Sequence, residues 1–400
     1  MNNKIMVVNA GSSSLKFKLY LMPSETVLCS GIFERIGIDD GIFKIDYGTK
    51  SQKKILDLPD HAICVRLLVD ALVELGIVKS LDEITGVGHR VVQGGKYFND
   101  SAVFNEENAN LIESMNSLAP LHNPAHLIGY RAFKKILPNV PATVTFDTAY
   151  FMDMEPEDYL FPIPYEYYEQ YAIRRYGAHG TSHLYLAEEA ARVELAGVKN
   201  PRVITCHIGS GASITASQNC KSVATSMGLT PLGGIMMGTR TGDLDPSVYM
   251  YVADQTNKSV AEVYDVFYKQ SGLKGVSGVS SDTRDIEKAI SEGNKRAIIA
   301  GKLFARRIAD YIGQYFVRLG GADMIIFSAG IGENSNYFRK AVIDNISEAL
   351  NIKLDEQANI DLNRKRGIIS TPDSKVLVGI IPTDEEIVIA RDCMRILKLS

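Results

Sequence analysis

VVNAGSSSLKFKLY, residues 7–20, holds an apolar run that stops at Asn9, small residues over 11–14, and an apolar–polar alternation that resumes at Leu15. The pattern on either side of the break predicts two strands, over 3–9 and 15–21, joined by a tight serine turn. Such a turn can be a plain hairpin. It can also hold a phosphate, because consecutive backbone N–H groups converge there and the hydroxyls add donors. Lys16, just past the hydroxyls, suits the second use. RVITCHIGSGASITAS, residues 202–217, repeats the arrangement: apolar strand, small polar turn, strand. Two such turns in matching places of two similar halves point to a nucleotide held between domains.

Working outward, residues 26–33 and 42–47 alternate like strands. HAICVRLLVDALVELGI, NLIESMNSLAP and HLIGYRAFKKIL have apolar residues at helical spacing, and ITGVGHRVV and ATVTFDTAY read as strands. The first half is therefore an α/β layered unit. Residues 153–176 turn acidic, Pro-rich and Tyr-rich, which places a domain boundary near their start. After it the pattern begins again, with a long helix from Ala297, a strand-to-glycine turn in MIIFSAGIGENS, and a strand in KVLVGIIP.

The chain has 400 residues, 46% hydrophobic and 22% charged, enough for more than one sizeable core. A net charge of −4 argues against nucleic acid or an anionic membrane as the main partner. Cys29, Cys64, Cys206, Cys220 and Cys393 are scattered without a CxxC pair, which suggests reduced thiols and a cytoplasmic protein. The apolar run before Asn9 is too short for a signal peptide, and no stretch approaches the roughly 20 residues of a membrane helix.

Named phosphate motifs are absent: there is no GxxxxGK[ST], and GIGENS has only the first two glycines of GxGxxG. Gly330 and Gly332, between a strand and a helix, suit close approach of a flat ligand or simply a turn. Arg90 and Arg240 sit among small or apolar residues; guanidinium groups take carboxylate and phosphate two-pronged, although a structural ion pair is the alternative for each. Asp147 ends a strand, where an acidic residue faces a cleft or caps a helix. His179 and His183 are four apart, as are His122 and His126, a spacing that zinc can use. No HExxH glutamate accompanies them, and His179 between glycines reads better as a donor to an anion. Thr383 and Glu386 match a capping box, which leaves Asp384 and Glu385 as carboxylates able to hold magnesium. Ser281 or Asp282 starts another helix, where an acidic side chain and Arg284 cap it or contact a ribose and base.

At this point the residues resemble a family. VVNAGSSSLK, GHRVV, FDTAY, PYEYYEQYAIRRYGAHGTSH, HIGSGASITA, TPLGGIMMGTRTGDLDP, SGVSSDTRDIE, AGIGENS and PTDEE occur in the order and spacing of acetate kinases, over nearly the whole chain. The resemblance implies two duplicated actin-like (ribonuclease H-like) α/β domains around an interdomain nucleotide cleft. Residues 1–149 with 385–400 would form an acyl kinase domain, and residues 150–384 a nucleotide-binding and dimerisation domain. It implies that Arg90 and Arg240 hold the acyl carboxylate and the transferring phosphoryl group, that His179 donates to phosphoryl oxygens, and that Asp147 positions the acceptor or the metal. Asn9 and Glu385 would belong to the shell of a Mg2+ ion, with Mn2+ as a substitute. Ser12, Ser14 and Lys16 would form the first phosphate loop, and His207, Gly209, Ser210 and Gly211 the second. Asp282, Arg284, Gly330, Ile331 and Asn334 would hold the adenosine of ATP or ADP. Val92, Leu121 and Pro231 would line the pocket for the substrate methyl group. Members are typically homodimers.

Four positions depart from the family pattern: Ala178 replaces phenylalanine, Ser210 asparagine, Gln93 histidine and Asp384 asparagine. The implied activity is reversible, Mg-dependent transfer from ATP to acetate, giving acetyl phosphate and ADP. Ala178 motivates a propionate or butyrate kinase as the alternative, and an ATP-switched binding module is the alternative from another class.

Overall fold

The opening stretch forms two antiparallel strands, β1 (Asn3–Ala10) and β2 (Ser14–Met22), with Asn3 opposite Met22 and Ala10 opposite Leu15. Residues 11–13 make the turn, closed by a hydrogen bond from the Gly11 N–H to the Ser14 carbonyl at 2.7 Å. β3 (Thr26–Glu34), β4 (Gly41–Tyr47) and β5 (Lys50–Leu56) extend the sheet beyond β2, and β6 (Ile84–Val91), the short β7 (Ala102–Val103) and β8 (Ala142–Phe146) lie beyond β1. β6 runs parallel to β1, and β8 parallel to β6. The computed structural model describes residues 2–120 and 122–399, and the chain divides into two units, Met1–Tyr150 with Asp384–Ser400, and Phe151–Thr383.

The second unit repeats the topology. β9 (Arg202–Ile208), β10 (Ala212–Gln218) and β11 (Lys221–Thr225) form an antiparallel meander. β12 (Met324–Ser328) runs parallel to β9, the short β13 (Gly367–Ile368) is antiparallel at the edge, and β14 (Leu377–Ile380) is parallel to β12. In both sheets three meandering strands lie in the order third, second, first, followed by two parallel strands and a two-residue edge strand. The two sheets are thus duplicates in connection. β5, KSQKKIL, has no alternating apolar signal; it is an exposed lysine-rich edge strand held by pairing with β4, and such an edge resists further pairing.

The last helix, Glu385–Ile396, returns to the first unit. It lies directly on β6 because two glycines make room: a Cβ on Gly86 would stand 2.8 Å from the Cys393 Sγ, and one on Gly88 2.7 Å from Ile389 Cγ2. Arg90 is the next residue on that face of the strand, since side chains alternate with a period of two. Asp384 caps this helix, accepting from the Ile387 N–H at 3.2 Å, so the capping box expected at Thr383 is not formed. Thr383 instead shares a hydrogen bond with Ser182, and Glu386 pairs with Lys18. The helix expected over residues 110–120 runs over Glu106–Ser114, started by Asn105, whose side chain accepts from Asn108. No helix among the described residues is long and apolar enough to cross a membrane.

His89, on β6, is buried with its ring edge toward Phe104, Tyr130 and Phe133 at 5.5, 5.8 and 5.5 Å. Burial pushes its pKa down from 6.5 to about 3. Burial also holds His126 and His183 well below 6.5. These imidazoles are neutral in the folded protein and charged in the unfolded chain at mildly acidic pH, so the unfolded state binds more protons. Their stability contribution is complete well above pH 6.5 and falls progressively as pH drops below it, for His89 down to about 3. Between pH 6.5 and 5 the urea unfolding free energy is expected to fall ever more steeply, the His89 share approaching about 1.4 kcal/mol per pH unit at the lower end. His89→Leu is expected to remove one histidine's share of that slope; an unchanged slope would contradict the assignment.

Candidate active site

Four elements bring polar and charged groups together in the first unit. Arg90 leaves β6, Asn9 leaves β1, Asp147 follows β8, and Glu385 opens the last helix. The first three lie at the carboxyl ends of parallel strands, where α/β sheets place ligands. Arg90 donates to Asp147 through Nε at 2.9 Å and Nη2 at 2.5 Å, and Nη1 reaches the Asn9 amide oxygen at 3.4 Å. Glu385 Oε2 is 3.9 Å from Arg90 Nε. Burial works against the charged guanidinium, but Asp147 and Glu385 outweigh it and raise its pKa. Burial raises the Asp147 pKa too, against the pull of Arg90. We take the pair as ionised, because a guanidinium with a raised pKa does not lose its proton and the contact is two-pronged.

Asp384 is committed elsewhere: besides capping, it accepts from Tyr20 Oη and Lys18 Nζ, each at 3.2 Å. Of the two carboxylates the sequence left for a cation, Glu385 is the one that faces the arginine. Magnesium takes hard oxygen donors and keeps waters and phosphates in its shell. Asn9 and Glu385 supply such oxygens, and one guanidinium against two carboxylates leaves a single net negative charge, so the set fits a divalent cation that arrives with phosphates. Among the described residues, no group of three His, Cys, Asp or Glu could hold an ion unaided.

The phosphate-loop residues fall at matching positions. Residues 11–13 join β1 to β2 and residues 209–211 join β9 to β10; the second turn is closed by Gly209 N–H to the Gly211 carbonyl at 3.1 Å. Ser12 and Ser210 are the exposed tips, Ser14 begins β2, and Lys16 is exposed opposite Asn9. Gly211 is a point of close approach: a Cβ there would stand 3.2 Å from Arg240 Nη1 and 3.6 Å from His179 Nε2. Both side chains therefore converge on the second turn. Arg240 donates to the Pro231 carbonyl at 3.3 Å and lies 4.7 Å from the Tyr268 ring centroid, and among the described residues it forms no ion pair. His179 stands in the left-handed region, φ 60°, at the start of the helix Gly180–Arg192, and stacks on His207 at 4.1 Å between ring centroids.

The histidine pair at 179 and 183 is joined by a hydroxyl: Ser213 Oγ is 2.9 Å from His179 Nδ1 and 2.7 Å from His183 Nε2. Ser213 and His183 are missed as site residues by motif alone, because their part depends on strand pairing. Ser182, which is 2.8 Å from His207 Nδ1, is missed for the same reason.

The expected adenosine residues come from two segments, linked by a hydrogen bond from Ser335 to Glu287 at 2.6 Å. Asp282 caps the helix Thr283–Ser291 and is held by Arg284, whose side-chain hydrogen bonds bring the Asp282 pKa to about 2. Gly330 opens on space with nothing near a Cβ, whereas a Cβ on Gly332 would press on the Phe327 backbone at 3.3 Å. Asn334 bonds the Gly330 carbonyl at 2.6 Å, and Ile331 is half-buried beside it. Arg339, unmarked by any motif, is buried beneath and donates to the Gly332 carbonyl at 2.8 Å. Val92 is buried, Pro231 is half-buried, and Leu121 lies outside the described residues.

The Acetokinase family model matches residues 4–391. The acetate kinase of Bacillus subtilis (strain 168) is 50% identical over 396 residues, covering 99% of this chain and all of that protein. The chain belongs to the acetokinase family. Its fold superposes on the crystal structure of Porphyromonas gingivalis acetate kinase with TM-score 0.92 and 41% identity, over 99% of this chain and all of that one. A propionate kinase from Francisella tularensis is similar as well, with TM-score 0.91 and 37% identity over 98% of this chain and 99% of that one. Within this family the departure at Ala178 lies inside: the residue is 3% exposed, within the apolar core of the second unit.

Asp147 is 1% exposed, and its loss leaves the largely buried guanidinium with only the longer contact to Glu385, at 3.9 Å. Asp147→Ala is expected to lower the unfolding free energy by about 3–5 kcal/mol. A urea midpoint unchanged at constant m-value would show that the pair contributes nothing.

Proposed function

We propose that this protein catalyses reversible phosphoryl transfer between ATP and acetate, forming acetyl phosphate and ADP. The observation that carries the proposal is identity of about half the residues, over the whole chain, with a protein named acetate kinase. Arg90, Asp147, His179, Arg240 and Glu385 all stand in the matching motifs.

The acceptor needs no general base. A short carboxylic acid is ionised at neutral pH, so its oxygen attacks the γ-phosphorus directly. The bond from that phosphorus to the β–γ bridging oxygen breaks, and ADP leaves with the electron pair. The side chains orient the reactants and balance charge, which suffices for in-line phosphoryl transfer. Asp147, occupied with Arg90, holds the guanidinium for the acyl and phosphoryl oxygens instead of taking a proton. Arg240, without a carboxylate partner among the described residues, has its charge available to the transferring group, and His179 Nε2 donates to a phosphoryl oxygen. Ser12, Ser14 and Lys16 take phosphate oxygens in one turn, and His207, Ser210 and Gly211 in the other. Asp282, Arg284, Gly330, Ile331 and Asn334 receive adenosine; Val92, Leu121 and Pro231 face the methyl group. Asn9 and Glu385 would hold magnesium, which when bound neutralises phosphate charge. The proposal includes a homodimer acting in the cytoplasm.

Acetate is assigned over propionate because Ala178 is packed in the core, so its missing ring opens no acyl space. Hydroxylamine trapping of the acyl phosphate, with ATP and magnesium, is expected to give the highest kcat/KM for acetate, with about tenfold or greater loss for each added methylene. A preference for propionate would overturn the acceptor assignment. Arg240→Ala is expected to reduce kcat by about three orders of magnitude with the fold intact, and Arg90→Ala by as much together with a loss of stability, since it leaves the buried Asp147 without its guanidinium. Near-wild-type turnover in either would contradict the proposed roles.

A further inference from the structure

Arg240 lies in GGIMMGTRTGDLDP, residues 233–246, a segment with glycines at 233, 234, 238 and 242. Such a segment has wide backbone freedom, and ordering it costs entropy. The guanidinium has only weak side-chain anchors: the Pro231 carbonyl at 3.3 Å, the Met237 Sδ at 3.6 Å and the face of the Tyr268 ring at 4.7 Å. The aim of the side chain therefore depends on how the backbone beneath it is held.

The segment is closed at its neck. The Asp243 N–H donates to the Gly234 carbonyl at 2.8 Å, and the Gly234 N–H donates to Asp243 Oδ1 at 2.7 Å. Tyr311, on the helix Lys295–Arg318, donates its hydroxyl to Asp243 Oδ2. Asp243 is exposed, yet both of its carboxylate oxygens are engaged. The phenol keeps its proton to donate, because burial and then Asp243 raise its pKa. Gly242 sits in the left-handed region, φ 71°, and a Cβ there would stand 2.4 Å from the Gly234 carbonyl oxygen, so the two arms of the loop meet backbone to backbone. The helix that carries Tyr311 is itself fixed, since Ala305, Ile308, Ile312 and Tyr315 pack in the apolar core of the second unit. One hydroxyl thus pins the neck of the loop to a core helix. The tip is held separately. The Met237 N–H donates to the Arg240 carbonyl at 3.1 Å, and the Ser271 and Leu273 N–H groups donate to the Thr239 and Met237 carbonyls, each at 2.9 Å. The Gly238 N–H reaches the Ser210 carbonyl at 3.4 Å, where the loop meets the second phosphate turn.

We infer that Asp243 and Tyr311 are positioning residues for the phosphoryl transfer: they close the neck of this loop and so aim the Arg240 guanidinium at the second phosphate turn. The inference rests on the role proposed for Arg240 above. The two arginines are then aimed by different means. Asp147 holds Arg90 by direct contact and cancels part of its charge. Asp243 acts on the backbone instead, through Gly234 and Tyr311, so Arg240 is oriented with no carboxylate against its guanidinium and its charge is kept for the transferring group. Preorganised charge of this kind costs no reorganisation when the reaction occurs.

The test is a double-mutant cycle in the full-length protein, read as acyl phosphate formed from ATP and acetate. Tyr311→Phe removes only the hydroxyl. It is expected to lower kcat about tenfold while KM for ATP and for acetate stays within about threefold. The deciding readout is the same replacement made in Arg240→Ala. There it is expected to change kcat by less than about twofold, because the group it positions is gone. A hydroxyl that only supported the fold would cost the same factor in both backgrounds. Asp243→Asn, whose amide oxygen still accepts from the Gly234 N–H and whose amide N–H can donate to the Tyr311 oxygen, is expected to retain more of kcat than Asp243→Ala. Wild-type kcat in Tyr311→Phe would overturn the inference, and so would equal losses from that replacement with and without Arg240. If Asp243→Ala does not fold, the Tyr311→Phe cycle still decides. Near-wild-type turnover in Arg240→Ala would instead overturn the role of Arg240 itself, and absence of acyl phosphate from the wild-type enzyme the functional proposal, both separate outcomes.

Discussion

The first unit depends on one ion pair. A guanidinium at the end of β6 is half-buried, and the cost of desolvating it is met chiefly by a carboxylate presented two-pronged. Asp147, at the end of the neighbouring parallel strand, is that carboxylate. The pair settles the division of labour in the proposed chemistry. Asp147 is engaged, so the acceptor must come already ionised, as a carboxylic acid does. Glu385 stands 3.9 Å from Nε of the same guanidinium and leaves the cluster one charge negative, which a cation arriving with phosphates can balance.

Close packing places that cluster. The chain returns from the second unit through Asp384, and its last helix reaches β6 because Gly86 and Gly88 have no side chains. Bulkier residues there would lift the helix and carry Glu385 away from the guanidinium. The cap is tied down by Tyr20 and Lys18 on β2, so the acidic first turn has a fixed start.

Duplicated topology has been put to unlike electrostatic use. Each unit turns sharply after its first strand, with an exposed serine at the tip. In the first unit two carboxylates surround the arginine. In the second, an arginine with no carboxylate partner among the described residues and a pair of stacked histidines meet at the turn. One set suits a cation and a carboxylate held by an oriented guanidinium; the other suits phosphoryl oxygens.

Much of this was legible along the chain. Strand–turn–strand is a local pattern, carried by alternation and small residues, and it announced both sheets and both turns before any long-range contact was known. The chemical types at Arg90, Asp147, His179 and Arg240 were equally plain, because such side chains stand out among small and apolar neighbours, whereas Asn9 was marked only by the family resemblance. Tertiary structure decided what each of those groups touches. Asp384 rather than Thr383 became the cap because Tyr20 and Lys18 converge on it from a strand far away in sequence. Ala178, a departure that suggested a wider acyl pocket, went into the core. The pairing of β9 with β10 set Ser213 between two imidazoles whose four-residue spacing suited a metal just as well. Spacing in sequence fixes which residues can share a face, but hydrogen-bond partners are fixed by the strands and helices that pack across from it.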